Sequence, residues 1–165
     1  MSPSPSATSP AKNSSLIADT YRNFQHGSAA LQSPFLLLVR LYWGWQFAQT
    51  GWGKLHHLNH VTAFFSSLHI PAPGPMAFFV SLLELVGGIL LIAGLATRLM
   101  GFLLAIDMIV AYIATDPSAL ASIVSNPDAF YNDAAYTFLI ASLILLIFGA
   151  GRFSVDYWLF RRREC

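Results

Sequence analysis

The sequence predicts an all-α fold: an integral membrane four-helix bundle with short amphipathic interfacial helices. Three observations carry this expectation. Of 165 residues, 55% are hydrophobic and 10% charged, which is more apolar than a soluble domain of this size normally is. Four apolar runs, about Pro34–Leu55, Met76–Arg98, Leu99–Ala114 and Ala134–Ala150, are separated by proline-, glycine- or charge-rich breaks. The second run is long enough at 1.5 Å per residue to cross a hydrocarbon core of about 30 Å, yet it carries Glu84 in its middle. Gly87 and Gly88 follow three and four residues later, so one helix face bears a carboxyl group beside a patch without side chains. A charged carboxylate facing lipid would cost about 2.5–3.5 kcal/mol or more, so that face must look into protein and find a partner.

Taken in order, Met1 to about Ser15 is rich in Ser, Pro, Ala and Thr and lacks a signal-peptide apolar core, so a disordered tail is expected. Leu16, Ile17, Tyr21 and Phe24 then recur near helical spacing, which predicts a short surface helix over Ser15–Gln25. In the first span, Arg40, Gly44, Ala48, Gly51 and Lys54 share one stripe, which should face the bundle. Trp43, Trp45 and Trp52 surround the stripe and read as packing and lipid surface, with a quinone or substrate role as the alternative. Between the first two spans, Asn59 is available to cap an interfacial helix with Val61, Phe64, Phe65 and Leu68 on one face, ended by Pro71, Pro73 and Pro75. His56 and His60 would lie one turn apart if the stretch were helical, a weak metal-site pattern for which interfacial histidines facing headgroups are the commoner reading.

Thr97 and Arg98 read as a very short turn, which makes the second and third spans antiparallel neighbours. Asp107 lies near the middle of the third span. The loop from Thr115 to Asp133 is acidic and contains no Lys or Arg, and Gly149 and Gly151 end the fourth span before the amphipathic SVDYWLF and Arg161–Arg163. The chain thus divides into 1–33 (tail and interfacial helix), 34–152 (four-helix membrane domain) and 153–165 (amphipathic basic tail). Lys12, Arg22, Arg98, Arg152 and the closing arginines fall on one side, so both termini are expected in the cytoplasm, with Lys54 the exception.

Chemistry is bounded by what is missing. A formal net charge of +1 with no basic stripe or RNA motif excludes a nucleic-acid partner. The sole cysteine, Cys165, allows no internal disulfide, CxxC pair or thiolate cage, and no two histidines sit within facing spans to hold a b-type haem. What remains is the buried charge. Helical rise places Arg40 at roughly 9 Å, Glu84 at roughly 16 Å and Asp107 at roughly 13 Å from the cytoplasmic side. An Arg40–Glu84 pair is therefore expected, with Asp107 sharing the guanidinium or held neutral. The surplus acid makes Glu84 and Asp107 the candidate catalytic, proton-handling groups, against the competing reading of a static salt bridge that sets helix register.

The ordered motifs R-x3-G (Arg40, Gly44), G-x-G-K (Gly51–Lys54), H-I-P-x-P (His69–Pro73), E-x2-G-G (Glu84–Gly88), G-L-x-T-R (Gly94–Arg98) and G-x-G-R-x-S-x-D (Gly149–Asp156) together resemble the DoxX family. The resemblance covers about Phe35 to Tyr157. It implies a multi-pass protein of the bacterial inner membrane, associated with larger redox complexes, and it puts Arg40, Lys54, Glu84 and Arg98 at the family's polar positions as candidates for a quinone or quinol site. The expected function is a membrane accessory subunit of a quinol-linked electron-transfer complex. The alternatives are a small quinone-linked oxidoreductase of the thiosulfate:quinone type and a proton-coupled transporter.

Overall fold

The structure, a computed structural model, describes the backbone of residues 10–115, 117–118 and 127–161; side chains are described from residue 31 onward within these ranges, those of residues 129, 160 and 161 excepted. The helices are α1 (Pro10–His56), α2 (Leu58–Ser67), α3 (Pro73–Ala93), α4 (Thr97–Thr115), α5 (Pro127–Asn132), α6 (Ala134–Phe148) and α7 (Val155–Arg161). Among the described residues there is no strand, and the all-α class stands.

The long helices α1, α3, α4 and α6 form a closed ring in which each packs on two others. The α1–α3 seam is antiparallel and unusually close. A Cβ at Gly51 would fall 2.4 Å from the Leu85 backbone nitrogen, and one at Gly88 would fall 2.5 Å from the Ala48 nitrogen. Side-chain-free positions on both helices therefore bring the two backbones into direct contact. On the far side, Gly101 admits the Ser142–Leu146 stretch of α6 against α4. The ring closes through aromatic edges, with Phe138 of α6 at 5.1 Å from Trp43 and 4.7 Å from Phe47. Phe47, Leu91, Leu104, Met108, Tyr112, Leu139 and Leu145 fill the centre.

This core is the minor part of the apolar surface. In α3 only 33% of the most apolar stretch is buried, and in α4 only 44%. Phe78, Phe79, Leu82, Val86 and Ile89 of α3, and Phe102, Ile106, Ile109, Val110 and Ile113 of α4, stand exposed. Water would penalise such a surface and hydrocarbon would not, so the molecule is a membrane protein.

Several boundaries differ from the sequence reading. The backbone is helical from Pro10 and runs unbroken through Pro34 to His56, 47 residues in all, where a tail, a separate surface helix and a fresh start at Pro34 were expected. The stretch SAALQS before Pro34 contains no helix breaker, and an apolar setting tolerates a proline inside a helix. Residues 1–9 lie outside the described residues. Asn59 does not cap α2, which begins at Leu58 behind His57 with no side-chain cap. Val61, Phe65 and Leu68 form its half-buried face, while Phe64 points outward. Thr97 and Arg98 open α4 rather than forming the turn, which is Gly94–Ala96. Gly94 ends α3 at φ +71°, a conformation that glycine adopts without steric cost. Within the acidic loop, α5 docks on the bundle: Phe130 is buried and stacked at 5.0 Å on Tyr112, whose hydroxyl donates to the Phe130 carbonyl at 2.9 Å. Asp133 then caps α6 by accepting from the Ala135 amide at 2.7 Å. Asp116 and Asn126 lie outside the described residues.

Candidate functional site

The close α1–α3 seam decides which cation meets Glu84. Gly51 lies against Ser81 and Leu85, so the next residue on the same stripe, Lys54, projects along α3 toward Glu84. Lys54 Nζ donates to Glu84 Oε1 at 2.7 Å. The carboxylate is 2% exposed and the lysine 35%, so the ammonium reaches inward from a partly open position to a fully enclosed acid. On the other flank, Leu104 of α4 packs at Gly87 and sets the α3–α4 register. Asp107, three residues further along α4, faces the same cluster and lies in the electrostatic field of both Glu84 and Lys54.

The cluster contains two carboxyl groups and one ammonium. Glu84 Oε2 and Asp107 Oδ2 are both buried and have no partner among the described residues. Two ionised carboxylates cannot hydrogen-bond each other. A single proton between them lets one donate to the other and, with the Lys54 charge, leaves the cluster neutral. The chemistry available is therefore the holding and release of one proton inside a membrane bundle, and donation from Lys54 to an oxygen acceptor.

Arg40 stands elsewhere, and the expected Arg40–Glu84 pair does not form. Its Nε donates to the Leu91 carbonyl at 2.9 Å and its Nη2 to the Ile92 carbonyl at 3.1 Å. Its Nη1 donates to the carbonyls of Ala150 at 2.6 Å and Phe153 at 2.9 Å. Arg40 and Lys54 are fourteen residues apart, roughly 21 Å along α1. The antiparallel seam puts Arg40 beside the last turn of α3, where the helix carbonyls carry partial negative charge and have lone pairs left to accept further donors. Side-chain identity gives no sign of such carbonyl partners, so a carboxylate was the natural but incorrect assignment.

Arg98 also lies apart from the cluster, exposed at the start of α4 and bordering a cavity of about 930 Å³. Among the predicted quinone-site residues, Lys54 and Glu84 are thus brought together with Asp107, while Arg40 and Arg98 are kept at the opposite end. His56 and His57 each donate an Nδ1–H to a backbone carbonyl, that of Trp52 (2.9 Å) and that of Gly53 (3.0 Å) respectively. The break at His57 places His56 and His60 on different helices. No three His, Cys, Asp or Glu side chains converge as a metal site among the described residues.

One contact that the sequence reading did not foresee is Asp156. Its two carboxylate oxygens accept from the amides of Ala96 (2.8 Å) and Thr97 (2.9 Å), and its own amide donates to the Gly94 carbonyl at 2.9 Å. The G-x-G-R-x-S-x-D run was the available signal, without any hint of what the aspartate would hold.

The DoxX family model matches residues 35–117, a stretch that includes Arg40, Lys54, Glu84, Arg98 and Asp107. The chain is 30% identical over 128 residues to "Putative oxidoreductase CatD" of Bacillus subtilis (strain 168), a match spanning 78% of this chain and 89% of that protein. No solved structure gives a significant match.

Proposed function

Because the chain belongs to the DoxX family of membrane proteins, we propose that it serves as an integral-membrane subunit of a bacterial quinol-linked electron-transfer complex. In this reading Lys54, Glu84 and Asp107 handle the proton that accompanies quinol chemistry. The observation that carries it is the pair of buried, unpartnered carboxyl oxygens beside one ammonium, on helices whose outer faces require lipid. A purely structural ion pair has no use for a second acid. The residues fit a quinone head group in kind, since Lys54 has N–H groups beyond the one that Glu84 takes. Quinone would supply the two-electron chemistry. The chain's own residues would orient a carbonyl through Lys54 and pass a proton through the Glu84–Asp107 pair.

Four long helices return the chain to the side from which it started, and Arg98 and Arg152 lie at that end, in keeping with the inner membrane and both termini in the cytoplasm. A second reading, a small oxidoreductase acting by itself, is favoured by the printed name of the Bacillus subtilis relative.

The test is purification in mild detergent from native membranes, with mass spectrometry of the intact assembly, extraction of quinone, and assay of the Glu84→Gln variant. Co-purifying redox subunits and an assembled E84Q complex with lost quinol turnover support the subunit reading. A chain that emerges alone with bound quinone shifts it to the small enzyme. An E84Q complex with full turnover removes the proton role.

A further inference from the structure

The other end of the molecule, away from the Lys54 cluster, holds a cavity of about 930 Å³ between the α3–α4 turn and the segment joining α6 to α7. We propose that this cavity binds an anionic phospholipid, with the Arg98 guanidinium holding the phosphate.

The cavity holds a cation without a partner among the described residues. Its charged lining residues are Arg98 and Asp156. Both Asp156 oxygens are engaged by the Ala96 and Thr97 amides, which fixes the acid as the cap of α4. Arg98 forms no hydrogen bond or ion pair with any described residue. A guanidinium is a planar fork suited to bidentate phosphate binding, and because it is more weakly hydrated than an ammonium, an exposed one such as Arg98 gives up little water to a phosphate.

The arginine stem also lies over a position without a side chain. Arg98 crosses Gly149, where an added Cβ would lie 3.1 Å from its Nε and 3.7 Å from its Cγ. Gly149 has φ +75°, so the backbone beneath the arginine takes a form that side-chain-bearing residues resist.

The walls identify the rest of the ligand. Leu95, Phe148 and Leu159 line the cavity, and Phe148 and Leu159 are each at least half exposed. The helices α3, α4 and α6 all begin or end at this level, where headgroups meet hydrocarbon. Inorganic phosphate would satisfy Arg98 and leave these walls wet. A quinone would cover the walls and leave the guanidinium without a counter-charge. A phospholipid with net negative charge does both, placing its phosphate on Arg98 and its acyl chains against Phe148 and Leu159.

The experiment uses the full chain in a neutral detergent, titrated with phosphatidylglycerol, phosphatidylcholine or glycerol 3-phosphate and followed by native mass spectrometry and thermal shift. The expected result is a one-to-one phosphatidylglycerol adduct that survives detergent removal and raises Tm, with little effect from the other two. Arg98→Gln should weaken that binding about five- to tenfold, in line with roughly 1 kcal/mol per interfacial arginine. Arg98→Lys should recover part of it, and Glu84→Gln should bind like the wild type. Equal retention of phosphatidylcholine by the wild-type chain overturns the proposal without reliance on any variant. A full thermal shift from glycerol 3-phosphate alone would assign the site to a free phosphate instead, and undiminished binding by R98Q would remove Arg98 from it.

Discussion

Lys54 Nζ meets Glu84 Oε1 at 2.7 Å across the α1–α3 seam, from opposite sides of a steep gradient in exposure: the lysine is 35% accessible and the glutamate 2%. The two halves of the pair are therefore not equivalent. Without Glu84, the lysine stem can swing its ammonium outward. Without Lys54, the carboxylate stays enclosed and uncompensated.

The first prediction is an order of stabilities. Lys54→Met should cost about 3–5 kcal/mol, the usual penalty for stranding a buried charge, whereas Glu84→Gln should cost much less. The double variant K54M/E84Q should recover most of the K54M loss. Thermal unfolding of the four proteins in one detergent measures this cycle, and equal losses for the two single variants would mean that Glu84 is not enclosed as described.

Asp107 separates a packing role from a proton role. An asparagine there can donate an amide N–H to Glu84 Oε2, which satisfies the unpartnered oxygen without a proton. Asp107→Asn should hence keep wild-type thermal stability while removing quinol-linked turnover in the native complex. Asp107→Leu, which offers no donor, should lower stability by about 1–3 kcal/mol. Full turnover in D107N would show that no proton passes through this position.

The helices and the importance of Glu84 could be read from the sequence because both are local properties. An apolar run needs only its own residues to declare itself, and an acid in the middle of one is anomalous wherever the neighbours lie. The partner of that acid was not legible. Helical rise put Arg40 and Glu84 at similar depth, but the α1–α3 register is set by the contacts of Gly44, Gly51 and Gly88 with the facing backbone, and these select Lys54. The same limit hid the capping of α4: Asp156 lies 59 residues beyond Thr97, and backbone amides carry no residue identity by which to match it. The continuity of α1 through Pro34 was not legible for a different reason: an apolar run beginning at a proline looks the same whether or not helix-compatible residues such as SAALQS lead into it.

Arg40 should behave as a purely structural cation. It is 1% exposed and donates to four carbonyls on two separate segments, a geometry that the single point of an ammonium cannot reproduce. Arg40→Lys should lower stability by about 3 kcal/mol or more, counting at least two lost charge-assisted hydrogen bonds at about 1.5 kcal/mol each. Turnover per folded molecule should be unchanged. A selective loss of turnover in stable R40K protein would move Arg40 into the functional site.

Two glycines two residues apart make a controlled comparison of seam packing. A Cβ at Gly51 would collide with the backbone of α3, 2.4 Å from Leu85 nitrogen and 2.7 Å from the Ser81 carbonyl oxygen, while one at Gly53 meets nothing within 4 Å. Gly51→Ala should force the helices apart, cost about 1–3 kcal/mol or more, and lengthen the Lys54–Glu84 contact. Gly53→Ala should be neutral or stabilising by up to about 1 kcal/mol through helix propensity. Equal Tm values for the two variants would contradict the seam geometry.

Asp156 ties the chain after α6 back onto the bundle, and its loss should open that end without touching the Lys54 cluster. Two of the ties are the amides of Ala96 and Thr97, so Asp156→Ala removes a helix cap worth about 0.5–2 kcal/mol. The third, from its own backbone amide to the Gly94 carbonyl, survives the substitution. Arg40 also continues to hold the carbonyls of Ala150 and Phe153, so the segment should loosen rather than detach. Arg152 is exposed within it and provides a tryptic site. Cleavage after Arg152 should be faster in D156A than in the wild type, and double replacement with Arg40→Lys should accelerate it beyond the sum of the single effects, because both residues restrain the same segment. Measured in detergent at a fixed protease ratio, identical cleavage rates in wild type and D156A would show that the α4 cap and the anchoring of α7 are independent features.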